Sequence, residues 1–214
     1  MRTMNKLALI VLAIAVGVPA FAQTQISGPQ SGTLGPGIYS VIGDIQVLQS
    51  TTLTIMPGTE FQHNGNWTWD IAGQLTAVGT EDDSIRFVRQ SPVEQHRWGG
   101  IRFRAVASAA SRIEYCVIDN CYVNSGIIPP WQYGGGIYVD TVPISITNTQ
   151  ISHCDAYWHG GAIYASGASI LVDHCTLVAN TAIEGADGGA IFLYNCMDAT
   201  ITNNIIARNI STGT

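Results

Sequence analysis

The stretch HGGAIYASGASILVDHCTLVAN, residues 159–180, contains a unit that the chain repeats. Its glycine pair and the short apolar strand that follows recur as GGGIYV from Gly134, GGAIYA from Gly160 and GGAIFL from Gly188, with starts 26 and then 28 residues apart. A period of this length is typical of repeat architectures, in which each unit stacks on the next. The glycines predict sharp turns and close approach of neighbouring backbones, where a side chain would clash.

A second strand of each unit aligns over nine residues without gaps. The aligned segments are IEYCVIDNC (113–121), ITNTQISHC (146–154), VDHCTLVAN (172–180) and ITNNIIARN (201–209). The residues that coincide at the apolar position are Ile118, Ile151, Leu177 and Ile206. The residues that coincide three positions later are Cys121, Cys154, Asn180 and Asn209. Equivalent positions in a solenoid stack about 4.8 Å apart, so the first set predicts an inward column and the second a structural ladder at a corner.

These repeats predict an all-β fold, a right-handed single-stranded parallel β-helix solenoid. An antiparallel sandwich also has many short strands, but it does not predict identity column by column at this spacing, and parallel crossovers are almost always right-handed. The predicted organisation is a signal peptide at 1–22, an N-terminal cap segment at 23–45 and β-helix repeats at 46–214. Because the sequence stops at RNISTGT, just after a repeat corner, we also expect the chain to be an N-terminal fragment of a longer protein.

The repeats resemble those of a known group. The GGAI tetrapeptide at 160–163 and 188–191, followed by the apolar-x-x-Asn groups at 177–180 and 206–209, is similar to the GGAI and FxxN repeats of chlamydial polymorphic outer-membrane proteins. That group belongs to the wider pectin-lyase-like β-helix superfamily, and the resemblance covers roughly residues 99–214. The chain departs from the pattern where leucine or isoleucine replaces phenylalanine and where two corners carry cysteine. The resemblance implies a surface or secreted passenger protein.

The first 22 residues predict export. A basic start, MRTMNK, precedes the apolar run LALIVLAIAVGV and then PAFAQ, which places small residues at the position a signal peptidase requires. We expect cleavage near Ala22 and a secreted or cell-surface protein, because the apolar run is too short to span a bilayer and no later segment is apolar enough to be transmembrane. The formal net charge of −6 excludes nucleic acid as an expected partner. No cofactor motif is found.

Five cysteines in an exported chain raise the question of disulfides. The alignment puts Cys121 and Cys154 on adjacent coils, where a bridge is feasible, whereas Cys116 and Cys175 are separated by a coil that has Thr149 in their column. The alternative is a stack of free thiols that fill small apolar positions. No metal site is predicted, because a cysteine and the histidine before it point to opposite faces of a strand.

Aromatic residues near the glycine pairs are the candidate ligand-binding residues. They are Trp98, Trp131, Tyr157 and Trp158. At matching points on successive coils they predict a surface ridge on which the apolar faces of sugar rings stack. The alternative is packing of the loops against the solenoid wall. A polysaccharide or a host or cell-surface glycan is therefore the expected partner.

Catalysis would need a pair of carboxylates, and Asp155 with Glu184 or Asp187 are the candidates. The polygalacturonase-like set of motifs is absent, and the loops before Gly134, Gly160 and Gly188 contain no arginine or lysine to offset a uronate charge. We therefore expect a non-catalytic, adhesin-like passenger that binds glycan. The alternative is a polysaccharide-active enzyme, a glycoside hydrolase or lyase, with part of its site beyond residue 214.

Overall fold

A computed structural model describes residues 23–124, 132–184 and 187–212. In chain order its strands are β1 (Thr24–Pro29), β2 (Gly32–Leu34), β3 (Gly37–Val47), β4 (Thr52–Ile55), β5 (Thr59–His63), β6 (Trp69–Ile71), β7 (Gln74–Val78), β8 (Ile85–Arg89), β9 (Ile101–Phe103), β10 (Arg112–Glu114), β11 (Cys116–Asp119), β12 (Tyr122–Val123), β13 (Ile137–Asp140), β14 (Ile144–Thr147), β15 (Gln150–Ser152), β16 (Asp155–Ala156), β17 (Ile163–Ser166), β18 (Ile170–Asp173), β19 (Thr176–Val178), β20 (Thr181–Ala182), β21 (Ile191–Tyr194), β22 (Thr200–Thr202), β23 (Ile205–Ala207) and β24 (Ile210–Ser211). One short 3-10 turn, Glu94–His96, lies between β8 and β9.

The strands form a parallel β-helix with three main faces. Face I has the order β2-β4-β7-β10-β14-β18-β22. Face II contains the first half of β3 and then β5, β8, β11, β15, β19 and β23, and face III contains the second half of β3 and then β6, β9, β13, β17 and β21. A short fourth sheet, β12-β16-β20-β24, lies between faces II and III in the later coils. Each turn of the chain therefore adds one strand to every face.

The segment predicted as an N-terminal cap takes part in the same sheets. β1 pairs in parallel with β3, and the side chain of Ile26 is buried in the hydrophobic core. β2 pairs with β4 on face I, and the first half of β3 pairs with β5 on face II. The strands therefore stack in coils before residue 46, and β1 is the first strand at this end among the described residues.

The inward column has the register that the alignment predicts. Ile118 pairs with Ile151, Ile151 with Leu177, and Leu177 with Ile206. The side chains of Ile118, Ile151 and Leu177 are fully buried, whereas Ile206 in the last described coil is 49% exposed. Towards the N-terminus the same column continues through the pairs Ile118–Phe87, Phe87–Phe61 and Phe61–Tyr39. A single apolar column thus runs through face II.

The corners on either side of face II have the same backbone conformation. At each corner a residue with left-handed φ comes directly before a residue whose side chain points inward. At one corner the left-handed residues are Tyr115, Asn148, His174 and Asn203, and at the other they are Asn120, His153, Ala179 and Arg208. The two neighbours at a corner therefore point in opposite directions. His153 is exposed while Cys154 is fully buried, and His174 and Cys175 repeat this arrangement.

The inward residues at both corners form hydrogen-bonded ladders. At the second corner Asn180 Nδ2 donates to Ile151 O at 3.0 Å, and Asn180 Oδ1 accepts from the main-chain N–H of Cys154 at 3.0 Å. At the first corner Cys116 N–H donates to Thr149 Oγ1 at 3.2 Å. Each side chain satisfies backbone groups that the turn takes out of the sheet ladder, because buried polar groups without partners are costly.

The paired glycines have two separate structural roles. Gly160 has a φ of +74°, in the left-handed region that glycine adopts without strain. Gly161 lies against the next coil, where a Cβ atom would come within 2.2 Å of Gly189 O. The first glycine of each pair makes the turn and the second allows the close approach of coils.

Candidate functional site

Trp98 does not belong to an exposed ridge, so that part of the sequence-based prediction is wrong. The residue is fully buried, and its ring stacks on His63 with centroids 4.2 Å apart and planes 7° apart. Its Nε1 donates to Asp119 O at 2.9 Å. Trp98 bridges to Cys121 and so occupies the inward position of the corner ladder, which is why its side chain enters the core. Trp131 lies outside the described residues.

Tyr157 and Trp158 are partly exposed at the turn before the Gly160 pair. Their rings meet edge to face, with centroids 5.3 Å apart at 83°. The backbone of this turn is fixed by two neighbours, since Trp158 N–H donates to Gln132 O at 3.0 Å and Tyr157 O accepts from Glu184 N–H at 2.9 Å. The rings are therefore presented on an ordered turn.

An outward aromatic column on face III was missed by the sequence analysis. Tyr138, Tyr164 and Phe192 pair in register on β13, β17 and β21, with centroids 5.4 Å and 5.6 Å apart and nearly parallel planes. Each residue follows the isoleucine after a glycine pair, so the repeated GGxI-aromatic pattern was the available signal. Side chains alternate between the two faces of a strand, and the residues on either side of each ring point inward. The rings therefore point to the outside of the coil.

A second row of rings covers this column. Tyr133 stacks on Tyr164 at 4.7 Å, and His159 stacks on Phe192 at 4.3 Å. We call these residues and their neighbours the outer aromatic cluster, which consists of Tyr133, Tyr138, Tyr157, Trp158, His159, Tyr164 and Phe192. Burial raises the pKa of Tyr138 to about 12 and also raises that of Tyr164, so both phenols are neutral at physiological pH. The cluster presents half-exposed rings over a buried aromatic base.

The three candidate carboxylates have different surroundings. Asp155 Oδ2 forms an ion pair with Arg97 Nη1 at 2.8 Å, whereas Glu184 is exposed. Asp187 is 80% exposed; its backbone N–H donates to His159 Nδ1 at 2.9 Å, and its carboxylate Oδ2 lies 4.0 Å from the same nitrogen. Burial lowers the pKa of Arg97, but the hydrogen bond that Arg97 donates to Asp155 and the negative charge of Asp155 outweigh burial and raise the pKa overall. Asp155 is thus part of an ion pair that anchors a turn.

Arg97 explains the position of Asp155 and was not weighed in the sequence analysis. Besides the ion pair, its Nη2 donates to Cys121 O at 2.7 Å and to His153 O at 2.9 Å, and its guanidinium lies 5.2 Å from the Tyr122 ring centroid. These contacts tie three consecutive coils together at one corner. Arg97 and the Asp155 carboxylate therefore both have a structural role, since they hold neighbouring coils together.

All five cysteines are free thiols in the structure. Cys121 and Cys154 occupy adjacent rungs, because Tyr122 pairs with Asp155. Burial, followed by contact with Cys154, raises the pKa of Cys121 well above its ordinary value. Among residues 23–124, 132–184 and 187–212, no cluster of three or more His, Cys, Asp or Glu side chains is arranged to hold a metal ion. In the same residues no helix is long and apolar enough to cross a membrane.

The chain matches the family described as "Right handed beta helix region" over residues 86–214. This match covers more than half of the sequence and agrees with the parallel strand order, so the chain belongs to the right-handed β-helix family. Comparison with curated proteins gives no match, and comparison with solved structures gives none either. The finer resemblance to chlamydial repeats stays a prediction.

Proposed function

We propose that this β-helix is a non-catalytic, secreted or cell-surface protein that binds a neutral glycan through the outer aromatic cluster. The observation that carries the proposal is the presence of partly exposed rings on the outside of successive coils. Tyr133 and His159 lie over the stacked column of Tyr164 and Phe192, and Trp158 lies beside His159. Flat aromatic surfaces bind the apolar faces of sugar rings, while their polar edges donate hydrogen bonds to hydroxyl groups.

The charge distribution supports a neutral glycan over an acidic one. The whole chain has a formal net charge of −6. Arg97, near the cluster at the same turns, is already paired with Asp155 and bonded to two backbone carbonyls. Arg97 is therefore not free to pair with a uronate, and the negative net charge of the chain disfavours an acidic polymer.

The environments of the carboxylates support binding without cleavage. Glycoside hydrolysis needs one carboxyl that is protonated and a second that is ionised across the scissile bond. Asp155 accepts a charge-assisted hydrogen bond from Arg97, which favours the ionised form and occupies the group. Glu184 and Asp187 are exposed to solvent on the next coil, after β20. The enzymatic alternative therefore has less structural support than the binding role.

The experiment is retention of the purified protein on insoluble cellulose, chitin and starch. The variant carrying Tyr157→Ala and Trp158→Ala should lose most of the retention, because each ring contributes on the order of 1 kcal/mol. Tyr115→Ala is the matched control, since Tyr115 is a partly exposed aromatic at the corner between faces I and II. Equal retention of all three proteins would reject the cluster as the binding site, and release of new reducing ends by the wild type would contradict the non-catalytic role.

A further inference from the structure

Two cysteines occupy consecutive positions of the ladder at the second corner of face II. Tyr122 pairs with Asp155, so the residues before them, Cys121 and Cys154, are in register on adjacent coils. Both side chains are fully buried and belong to the hydrophobic core. Residues in register on neighbouring parallel strands lie about 4.8 Å apart. The fold therefore brings two thiols together as immediate neighbours inside the solenoid.

These cysteines depart from the ladder of the later coils. The next two residues in the same column are Asn180 and Asn209, whose side-chain amides bond to backbone carbonyls. A thiol is only a weak donor and a weak acceptor, so it does not replace an amide in such a ladder. Positions where a repeat departs from its own rule are where a function is expected.

The neighbours of the pair in the column supply no further metal ligand. On one side Trp98 has an indole N–H, which only donates, and it is bonded to Asp119 O at 2.9 Å. On the other side Asn180 Oδ1 accepts from the Cys154 N–H at 3.0 Å. Within the described part of the chain no third His, Cys, Asp or Glu joins the two thiols in a cluster. The site therefore offers two sulfur atoms and no other ligand.

A pair of thiolates is suited to a soft monovalent cation. Zinc is almost always four-coordinate in structural sites, so two sulfurs are too few for it. Thiolate ligands favour Cu(I) among the soft ions. Two metal–sulfur bonds of about 2.3 Å in a line separate the sulfur atoms by about 4.6 Å, which is close to the spacing of the coils. The stacking of the coils thus matches linear coordination.

The electrostatic surroundings also suit such an ion. Burial and contact with Cys154 raise the pKa of the Cys121 thiol well above its ordinary value, and the positive charge of Arg102 opposes this effect. Arg102 is itself 1% exposed. A monovalent cation and this guanidinium together balance the charges of two thiolates, and buried charges need such compensation.

We propose that Cys121 and Cys154 bind one Cu(I) ion between them, at a site separate from the outer aromatic cluster. Each thiol releases its proton to solvent, and each sulfur then donates an electron pair to the ion, whose oxidation state does not change. The ion links two adjacent coils at the second corner. Because the two sulfurs are held side by side only in the folded chain, binding stabilises the solenoid by mass action.

The direct test is an oxygen-free titration of the reduced full chain against the coloured complex of Cu(I) with bicinchoninate, followed until the absorbance is constant. The wild type should withdraw one equivalent of Cu(I), and X-ray absorption of the loaded protein should show two sulfur ligands. No withdrawal of copper, or a copper environment made of nitrogen and oxygen ligands, would overturn the proposal.

Substitutions test which thiols bind the ion. Cys154→Asn introduces the residue that the next coils have in this column, so it should fold and withdraw no copper; Cys121→Ser provides a second test if that variant folds poorly. The matched control is Cys116→Thr, which removes a buried thiol at the other corner and introduces the residue found at Thr149 on the next coil. It should still withdraw one equivalent. Withdrawal by the wild type that persists in both Cys154→Asn and Cys121→Ser would contradict the assignment.

Thermal unfolding gives an independent readout of the same site. At ten times its dissociation constant, Cu(I) shifts the folding equilibrium about 11-fold, which raises the midpoint by a few degrees. The shift should appear in the wild type and in Cys116→Thr and be absent from Cys154→Asn. A wild-type midpoint that Cu(I) leaves unchanged would contradict binding to the folded chain.

Discussion

Asn209 Oδ1 accepts two hydrogen bonds from Asn180, one from its backbone N–H and one from its Nδ2, both at 2.9 Å. One amide oxygen therefore holds both the backbone and the side chain of the residue below it in the ladder. Asn209 Nδ2 in turn donates to Leu177 O at 2.9 Å. The repeated asparagine at the corner therefore has a structural role, because its side chain links one coil to the next from inside the solenoid.

Replacement of Asn180 by alanine should destabilise the solenoid by about 2–4 kcal/mol. The change leaves the Cys154 N–H and the Ile151 carbonyl without their partners in a fully buried corner. Gln150→Ala is the control, because it removes an exposed amide from the neighbouring strand and should change stability by less than about 0.5 kcal/mol. Urea unfolding measures both, and equal losses would show that the ladder bonds contribute nothing specific.

His63 should make stability fall as the pH drops below about 6.5. The ring is fully buried, with Nδ1 2.8 Å from Val88 O and Nε2 accepting from Trp69 Nε1 at 3.0 Å. Burial lowers its pKa to about 3, although the Val88 hydrogen bond opposes the shift. The unfolded chain binds a proton near pH 6.5 and the folded chain does not, so the contribution is complete above that pH and is lost between about pH 6.5 and 3.

The expected loss from this group between pH 7 and pH 5 is about 2 kcal/mol. His63→Gln retains hydrogen-bonding capacity without titrating in this range, so its unfolding free energy should depend less steeply on pH. Urea unfolding at several pH values compares the two proteins. Parallel profiles for the wild type and the variant would show that His63 titrates normally in the folded chain.

Gly161→Ala should be severely destabilising, by about 3 kcal/mol or more, because the new Cβ would lie 2.2 Å from Gly189 O and 2.6 Å from Thr181 N. Backbone atoms of two neighbouring strands cannot move away independently. Gly28→Ala is the control: it has a φ of +71° but no atom within 4 Å, so it has only the left-handed strain of about 1 kcal/mol. Comparable melting temperatures of the two variants would contradict the close-approach role of the second glycine.

The last described coil should exchange its amide hydrogens faster than the coil before it. Ile205 and Ile206 are 63% and 49% exposed, whereas Leu177 in the equivalent position one coil earlier is fully buried. Local opening breaks fewer contacts in a strand that has a neighbouring strand on one side only. Exchange measured by mass spectrometry should be faster for peptides from β22–β24 than from β18–β20, and equal protection would indicate an interaction that covers this end.

Much of the fold was readable from the sequence, because stacked coils repeat the same environment at each turn. The column of Ile118, Ile151 and Leu177 was predicted in its observed register. The direction of side chains beside the turns was harder to predict, since a single left-handed residue reverses the alternation. Trp98 was assigned to the surface because it stands immediately before a glycine pair, although it lies in the core.

The binding surface was only partly readable for a related reason. Aromatic residues in loops, such as Trp158, are recognised as candidates because they lie outside the predicted strands. Tyr138 and Tyr164 lie within strands, where aromatic residues are common. Only the three-dimensional stacking shows that the strand aromatics form the base of the cluster and that Tyr133 and His159 cover it.

The central claim is that Trp158 and its neighbours bind neutral glycan, and the most direct test is the indole N–H spectrum of the isotope-labelled protein during titration with soluble cello-, chito- and malto-hexaoses. For at least one of these sugars the Trp158 resonance should shift in a saturable way, while the resonances of Trp69 and Trp98, whose rings are buried in the core, stay unchanged. An unchanged Trp158 resonance with a sugar that the protein retains, or a saturable shift confined to other tryptophans, would contradict the account.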